Sequence, residues 1–431
     1  MTEPGMTEPG MADPGMADPG MTPRGRAALA FGSTARWASR ITGRGAGAMI
    51  GGLVAMTLDP SILRQLGAGR RCAIITGTNG KSTTTGMVAA ALSTLGSVAT
   101  NSEGANMDAG LVAALSADRG ATLAALEVDE MHVPHVSDAV NPAVIVLLNL
   151  SRDQLDRVGE INHIERTLRT GLSRHPGAVV VANCDDVLMS SAAYDCPHVV
   201  WVAAGGGWSG DSVSCPRSGE VIVREGRNWH SSGTNFRRPA PQWWFDDETL
   251  YGPNGLALSM RLALPGSVNR GNAAQAVAAA VAMGADPATA VAAVCGVEEV
   301  AGRYRTVRIG DKHTARLLLA KNPAGWQEAL SMVNKTAAGV VIAVNGQVPD
   351  GEDLSWLWDV RFEHFGGTAV VAAGERGTDL AVRLGYAGVE HSLVHDTVAA
   401  VESCSPGHVE VVANYTAFLQ LQRALGRAGA R

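Results

Sequence analysis

Three stretches hold residues whose types and spacing can do chemistry. In the first, TGTNGKSTTTG (residues 76–86), an apolar run ends in a glycine-bearing turn and Lys81-Ser82-Thr83 open a helical pattern. Backbone N–H groups of such a turn and of a helix N-terminus attract phosphate oxygens. Lys81 can neutralise β- and γ-phosphates, and the Ser82 hydroxyl can ligate Mg2+. The spacing is not the full GxxxxGK[ST], because Ile75 stands where the first glycine belongs. A strand before the turn and a helix after it supply the context for nucleotide binding. The second stretch, LEVDE (126–130), offers Glu127, Asp129 and Glu130 at the end of a predicted strand. Mg2+ takes hard oxygen ligands, and open α/β sheets gather ligands at that edge. Glu127 is the expected metal ligand, whereas Asp129 and Glu130 can equally cap the next turn. The third, VNGQVPDGEDLSWLWD (344–359), holds four acids and two tryptophans. Read locally, Asp353 is a helix N-cap behind an acidic turn. Trp356 and Trp358, two residues apart on a helix, would point one inward and one outward.

The elements that must position these residues follow from the apolar pattern. CAIIT, ATLAALEVDE, PAVIVLLNL and GAVVVANCDD read as buried strands, and KSTTTGMVAAALSTLG reads as a helix. Strands alternating with helices imply a parallel sheet covered on both faces. After GGGWSG (205–210) the chain changes to SCPRSGEVIVREGRNWHSSG, a small β insertion placed at about 205–250. Residues 266–294 are alanine-rich and helical. A second α/β unit, 301–431, carries strands GVVIAVN, TAVVAAG and HVEVVANY with helices SWLWDVRFEHF and TAFLQLQRAL. The expected organisation is a disordered Pro/Gly repeat over 1–23, a helical segment over 24–70, a central domain over 71–300 and this last unit. Arg24, Arg26, Arg36, Arg40 and Arg44 in the helical segment suit either a basic helix touching phospholipid or an ordinary helix packed on the next domain.

Composition narrows the class. A chain of 431 residues exceeds one typical core, and 46% apolar with 18% charged residues describes a globular protein. Of the net charge of −6, Glu3, Glu8, Asp13 and Asp18 in the repeat supply four, so the body is near neutral and no nucleic-acid partner is expected. The cysteines, Cys72, Cys184, Cys196, Cys215, Cys295 and Cys404, form no CxxC pair and fit buried thiols in a reducing cytoplasm. The early run GAGAMIGGLVAMTL is too short to span a bilayer.

With these residues in view, the chain resembles a known family. TGTNGKSTTT is similar to the signature of Mur ligases and folylpolyglutamate synthases, which join an amine to a carboxylate using ATP. NSEGANM, LEVDE, NLSRDQLDRVGE, LAKNPAG, the DGxDxSWLWD element and ANYTA narrow the resemblance to the MurT family, ligase-like subunits of lipid II isoglutaminyl synthase. The resemblance runs from about residue 24 to the end. It implies a central P-loop Mur-ligase ATPase domain and a C-terminal Rossmann-like Mur ligase domain. It also implies an ATP-dependent carbon–nitrogen ligase with glutamine as nitrogen donor, working at the inner face of the cell membrane. Such an enzyme phosphorylates the α-carboxylate of D-glutamate in the lipid II stem peptide, and ammonia converts the acyl phosphate to D-isoglutamine.

Carried onto this sequence, the resemblance assigns the triphosphate loop to Thr78, Asn79, Gly80, Lys81, Ser82 and Thr83, and Mg2+ to Ser82 and Glu127. Asn269 and Asn272 match a helix start that contacts adenine, and Arg303 an arginine reaching phosphate. Asn272 could instead cap its helix, and Arg303 could be a surface residue. Ammonia would come from a GatD-type glutamine amidotransferase, to whose triad Asp353 would lend the acid. The alternative, a ligase that adds an amino acid, is disfavoured by two departures. Residues 157–172 contain no lysine to carbamylate, and Gln154 replaces a familiar histidine. A third departure concerns zinc: where relatives carry a four-cysteine ribbon, only Cys215 and His230 remain, with Ser218 and Ser232 at the other positions. Serine is a poor zinc ligand. A zinc-free ribbon held by Val221, Val223 and Trp229 is expected.

Overall fold

The computed structural model describes residues 21–41, 48–101, 105–152, 160–206, 208–298, 306–365 and 368–428. The repeat therefore lies outside the described residues, except that its expected boundary at residue 23 is too late. Met21 is buried, its Sδ accepting from Arg119, and the Thr22 N–H donates to Gln65 Oε1 at 3.0 Å. Three helices follow: α1 (Pro23–Ile41), α2 (Ala48–Leu58) and α3 (Ile62–Gly67). Ala28, Leu29, Ala55, Ile62 and Leu66 join one core with Cys72 and Ile74, so this segment packs on the central sheet. Gly32 and Gly51 let α1 and α2 touch backbone to backbone: a Cβ on Gly32 would lie 2.5 Å from the Gly51 carbonyl oxygen.

The central unit runs β1 (Arg71–Thr76), α4 (Lys81–Leu92), β2 (Val98–Thr100), α5 (Asp108–Ala117), β3 (Leu123–Glu127), α6 (Val133–Val140), β4 (Val144–Leu147) and α7 (Glu160–Ser173). It continues through β5 (Val179–Asn183), α8 (Val187–Ala193), β6 (Val199–Ala203), the ribbon strands β7 (Ile222–Glu225) and β8 (Asn228–Ser231), then β9 (Trp243–Asp246), β10 (Thr249–Gly252) and β11 (Leu256–Ser259). Helices α9 (Ser267–Ala282) and α10 (Pro287–Cys295) close it. Nine strands form one sheet in the order β11-β10-β9-β6-β5-β4-β1-β3-β2. The strands from β2 through β6 to β9 are parallel, and β9–β11 add an antiparallel edge. The inner strands β3 and β4 are buried throughout, as unbroken Leu/Ile/Val/Ala runs require when helices cover both faces.

Two expectations shift here. The β insertion is a two-stranded ribbon, and Trp243–Gly252, assigned to it above, belongs to the main sheet. Inside the ribbon the packing is one residue out of register with expectation. Ile222, not the exposed Val221, turns inward with Cys215, Trp229 and Phe236, because neighbouring strand residues face opposite sides.

The last unit comprises β12 (Thr306–Ile309), β13 (His313–Leu319), α11 (Pro323–Met332), β14 (Gly339–Ala343), β15 (Val370–Ala373), α12 (Gly377–Tyr386), β16 (His391–Leu393), α13 (Thr397–Glu402), β17 (Gly407–Ala413) and α14 (Tyr415–Ala428). Its sheet order is β12-β13-β17-β14-β15-β16, parallel except for the β12–β13 hairpin. SWLWDVRFEHF is not the expected helix but two 3₁₀ turns, Ser355–Trp358 and Phe362–Phe365. The buried Arg383 guanidinium donates to the Leu357 and Val360 carbonyls at 3.1 and 2.8 Å, occupying acceptors that a helix would have used for itself.

Candidate active site

β1 sits where the chain switches from one side of the sheet to the other, the place at which open α/β sheets leave a crevice. The loop leaving it turns at Gly77 and at Gly80, whose φ of +85° is the left-handed conformation glycine adopts without strain. Lys81, Ser82 and Thr83 then start α4, with Ser82 and Thr83 buried. A polar strut holds the loop from behind. The Asn79 N–H donates to Asn149 Oδ1 at 3.0 Å, and Asn149 Nδ2 donates to the Asn79 carbonyl at 2.9 Å. The Ser151 N–H meets Thr78 Oγ1 at 2.9 Å.

Thr78, Asn79, Gly80, Lys81, Ser82, Thr83, Glu127, Asn269 and Asn272 line one cleft of about 290 Å³. Its opposite wall is the last unit, through Lys321, Gly325 and Glu328. Asn272 lies in the second turn of α9, whose N-cap is Gly266, so it is not a cap. Its amide sits beside Gly80, close enough that a Cβ there would come within 3.0 Å. Arg303 and Gln154 lie outside the described residues.

The three acids of LEVDE divide their work. Asp129 closes a turn, accepting the Met131 N–H at 3.1 Å. Glu130, read above as a turn residue, instead meets Lys81 Nζ at 3.2 Å. Burial pushes its carboxyl up while the Lys81 charge pulls it down, and the net shift is upward. Lys81 Nζ also donates to the Gly77 carbonyl at 2.6 Å, so the ammonium is held at the loop mouth. Glu127 is almost fully buried: its Oε1 accepts from Asn106 at 3.4 Å, and its Oε2 has no hydrogen-bond partner among the described residues. An orphaned, buried carboxylate oxygen costs free energy unless a ligand takes it up. Together with the Ser82 hydroxyl, Glu127 therefore fits Mg2+, which uses one or two protein oxygens and completes its shell with phosphate and water.

Two contacts that local reading missed join the units across the cleft. Asn79 and Asn322 pair their amides, at 3.2 and 3.3 Å, while Asn322 Oδ1 also caps α11 at the Gly325 N–H. Arg152, next to Ser151, pairs with the buried Asp211 of the insertion and reaches Asp359 at 3.6 Å. The two pairs differ in worth. Arg152→Ala should lower the unfolding free energy by about 2 kcal/mol, because it strips a cation from a buried carboxylate. Asp359→Asn should cost under about 1 kcal/mol, as half-exposed pairs do. Denaturant midpoints of the two variants check this.

The third stretch does not line the cleft, although its last residue, Asp359, reaches the cleft residue Arg152. Asp350 is buried and ties the turn to α14, accepting the Thr416 N–H at 2.9 Å. Asp353 is exposed and accepts the Ser355 N–H at 2.8 Å, which holds its carboxyl below the usual range. Trp356 is buried against Trp326, whereas Trp358 is 55% exposed and meets the 77% exposed Tyr386 edge-on. The six cysteines are all free thiols. Burial pushes Cys72 and Cys196 up to about 11 and Cys184 up to about 12, and it raises Cys295 and Cys404. Such thiols are poor nucleophiles.

In the ribbon, Cys215 is a core residue packed with Val187, Ile222, Trp229 and Phe236. Among the described residues no three His, Cys, Asp or Glu side chains gather as zinc would need. Less than stoichiometric zinc is the expected result of metal analysis on purified protein.

Comparison with known proteins finds relatives of both units. A family model described as Mur ligase middle domain matches residues 75–280, and one described as MurT ligase C-terminal matches residues 319–418. The lipid II isoglutaminyl synthase (glutamine-hydrolyzing) subunit MurT of Streptococcus pneumoniae is 28% identical over 88% of this chain and 93% of its own. Its Staphylococcus aureus counterpart is 27% identical over 93% of this chain and 98% of its own. Among solved structures, a pseudomurein peptide ligase type C from Methanothermus fervidus superposes with a TM-score of 0.64 at 18% identity, covering 83% of this chain and 79% of that one. A MurF from Acinetobacter baumannii gives 0.62 at 17% identity, covering 88% and 81%. Those two share the fold. With both halves matched in order and full-length relatives alongside, the chain belongs to the MurT family of Mur ligase-like proteins.

Proposed function

We propose that this chain is the ATP-dependent ligase subunit of a lipid II isoglutaminyl synthase. It would phosphorylate the α-carboxylate of D-glutamate in the stem peptide, and ammonia from a GatD-type glutaminase subunit would complete the amide. The observation that carries the reading is the cleft in which the phosphate loop, Lys81 and the unsatisfied carboxylate of Glu127 meet, walled by the last unit.

The chemistry explains the parts. A free carboxylate has no leaving group. One of its oxygens attacks the γ-phosphorus of ATP, the bond to the bridging oxygen breaks, and ADP departs. Ammonia then adds to the acyl carbon, inorganic phosphate leaves, and the nitrogen gives up a proton. Protein groups chiefly position the reactants and neutralise charge. Backbone N–H groups of residues 78–83 would cradle the phosphates, and Lys81 would turn from Glu130 towards them. Glu127 and Ser82 would hold Mg2+, which when bound supplies charge neutralisation on the phosphate oxygens. Asn269 and Asn272 would line the nucleotide, and the family resemblance gives Arg303 a phosphate contact.

Ammonia is mostly protonated at neutral pH, so a dedicated source has a chemical purpose. The five thiols that burial pushes upward are consistent with that source being another subunit. Exposed Asp353, and half-exposed Trp358 in the turn that follows it, suit an acid and an anchor presented to that subunit. The reading places the protein at the inner face of the cell membrane, where its lipid-linked substrate lies. The test is mass spectrometry of lipid II incubated with ATP, glutamine and the co-expressed pair. A mass change of one carboxyl to carboxamide supports the reading, and ADP release with unmodified lipid II would refute it.

A further inference from the structure

The α1–α2 hairpin has an outer surface that the active-site chemistry leaves unused. On α1 the exposed residues include Ala27, Ala30, Phe31, Thr34 and Trp37, beside Arg24, Arg26 and Ser33, with Phe31 62% and Trp37 65% exposed. On α2 they are Met49, Ile50, Leu53 and Thr57, with Leu53 61% exposed. A soluble surface normally sets charges at such positions. Here the charged side chains described on the two helices, Arg24, Arg26 and Arg36, share one sign, and Arg24 and Arg26 are exposed. Between Met21 and Leu58 the sequence has five arginines and no Asp or Glu. The next acid, Asp59, is buried and bonded to Ser61 and Gln65, so it presents nothing to the surface.

We infer that this hairpin docks the protein on an anionic lipid surface, with α1 and α2 lying flat in the headgroup region. The Gly32–Gly51 contact holds the two helices together as one plate. At 19 and 11 residues, neither helix is long and apolar enough to cross a membrane. An apolar face with an aromatic residue and bordering arginines is the composition of a helix that lies in the interface. Charge complementarity selects the occupant: an apolar stripe on helices whose only charged residues are arginines fits acidic headgroups. The inference rests in purpose on the reading above, since it names the surface that would bring the cleft to a lipid-linked substrate. Its test needs no substrate, so either can fail alone.

The test is co-sedimentation of the full chain with vesicles of phosphatidylcholine, with or without phosphatidylglycerol. Binding to the anionic vesicles that weakens with salt is expected. Leu53→Ser should lower the bound-to-free ratio on the order of tenfold. Arg26→Gln should lower it about fivefold. Val213→Ser, at a comparably exposed position in the insertion, should leave it unchanged. All three sites are exposed, and equal melting temperatures would verify folding. Three results would overturn the inference: no vesicle binding, binding indifferent to Leu53→Ser and Arg26→Gln, or hairpin variants that lose self-association or the partner subunit while vesicle binding is unaffected.

Discussion

Lys81→Ala should lower ATP-dependent amide formation on the order of 10³-fold, with glutamine and with added ammonia alike. The magnitude is that of removing one preorganised charge from a site whose work is mostly electrostatic. The loss should fall mainly in kcat, because backbone N–H groups of the loop still hold the ground-state phosphates. Lys81→Arg should not rescue it. The ammonium fits as a compact charge 2.6 Å from the Gly77 carbonyl, and a planar guanidinium on a longer stem cannot take that place.

The same substitution tests what Glu130 does. Removing Lys81 leaves a buried carboxylate without its cation, which as a charge would cost several kcal/mol. Burial already pushes that carboxyl upward, however, so it can take a proton and stay neutral. Lys81→Ala should therefore remain folded, and adding Glu130→Gln should change its melting temperature little. ADP release and thermal melting together check both parts. A folded Lys81→Ala protein with undiminished turnover would refute the role given to the lysine.

What could be read in the sequence was what lies close together along the chain. The strand, glycine turn and helix around Lys81 are contiguous, and so are the apolar runs of β3, β4, β14 and β17. The place of Glu127 at the end of β3 was legible because a strand end is itself a local feature. Contacts assembled from distant segments were not. Lys81 and Glu130 are 49 residues apart, and Asn79 and Asn322 are 243 apart. No periodicity reports such pairs. SWLWDVRFEHF misled for a related reason: Arg383, from α12, takes its carbonyls and leaves 3₁₀ turns where local propensity favoured a helix. The ribbon failed by one residue because Val221, Ile222 and Val223 are alike in hydrophobicity, and only the fold decides which one turns in.

Asp353→Asn should abolish glutamine-dependent amidation, on the order of 10⁴-fold, and spare activity with added ammonia. The substitution is chosen because the two roles open to Asp353 respond to it differently. As a turn residue, Asp353 needs only an oxygen to accept the Ser355 N–H, and Asn supplies one in the same geometry. As an acid orienting a partner's imidazole, it needs the negative charge, and replacing that charge in a triad costs about 10⁴ in rate. The Ser355 N–H holds the carboxyl below its ordinary range, so the charge is present throughout the neutral region. Exposure leaves it free to be met by another chain, and Trp358, in the turn that follows, is half-exposed. Trp358→Ala should then weaken association with the glutaminase subunit without touching ammonia-dependent turnover. If Asp353→Asn loses both activities, the residue is part of the fold. If it keeps both, the acid of the triad lies elsewhere.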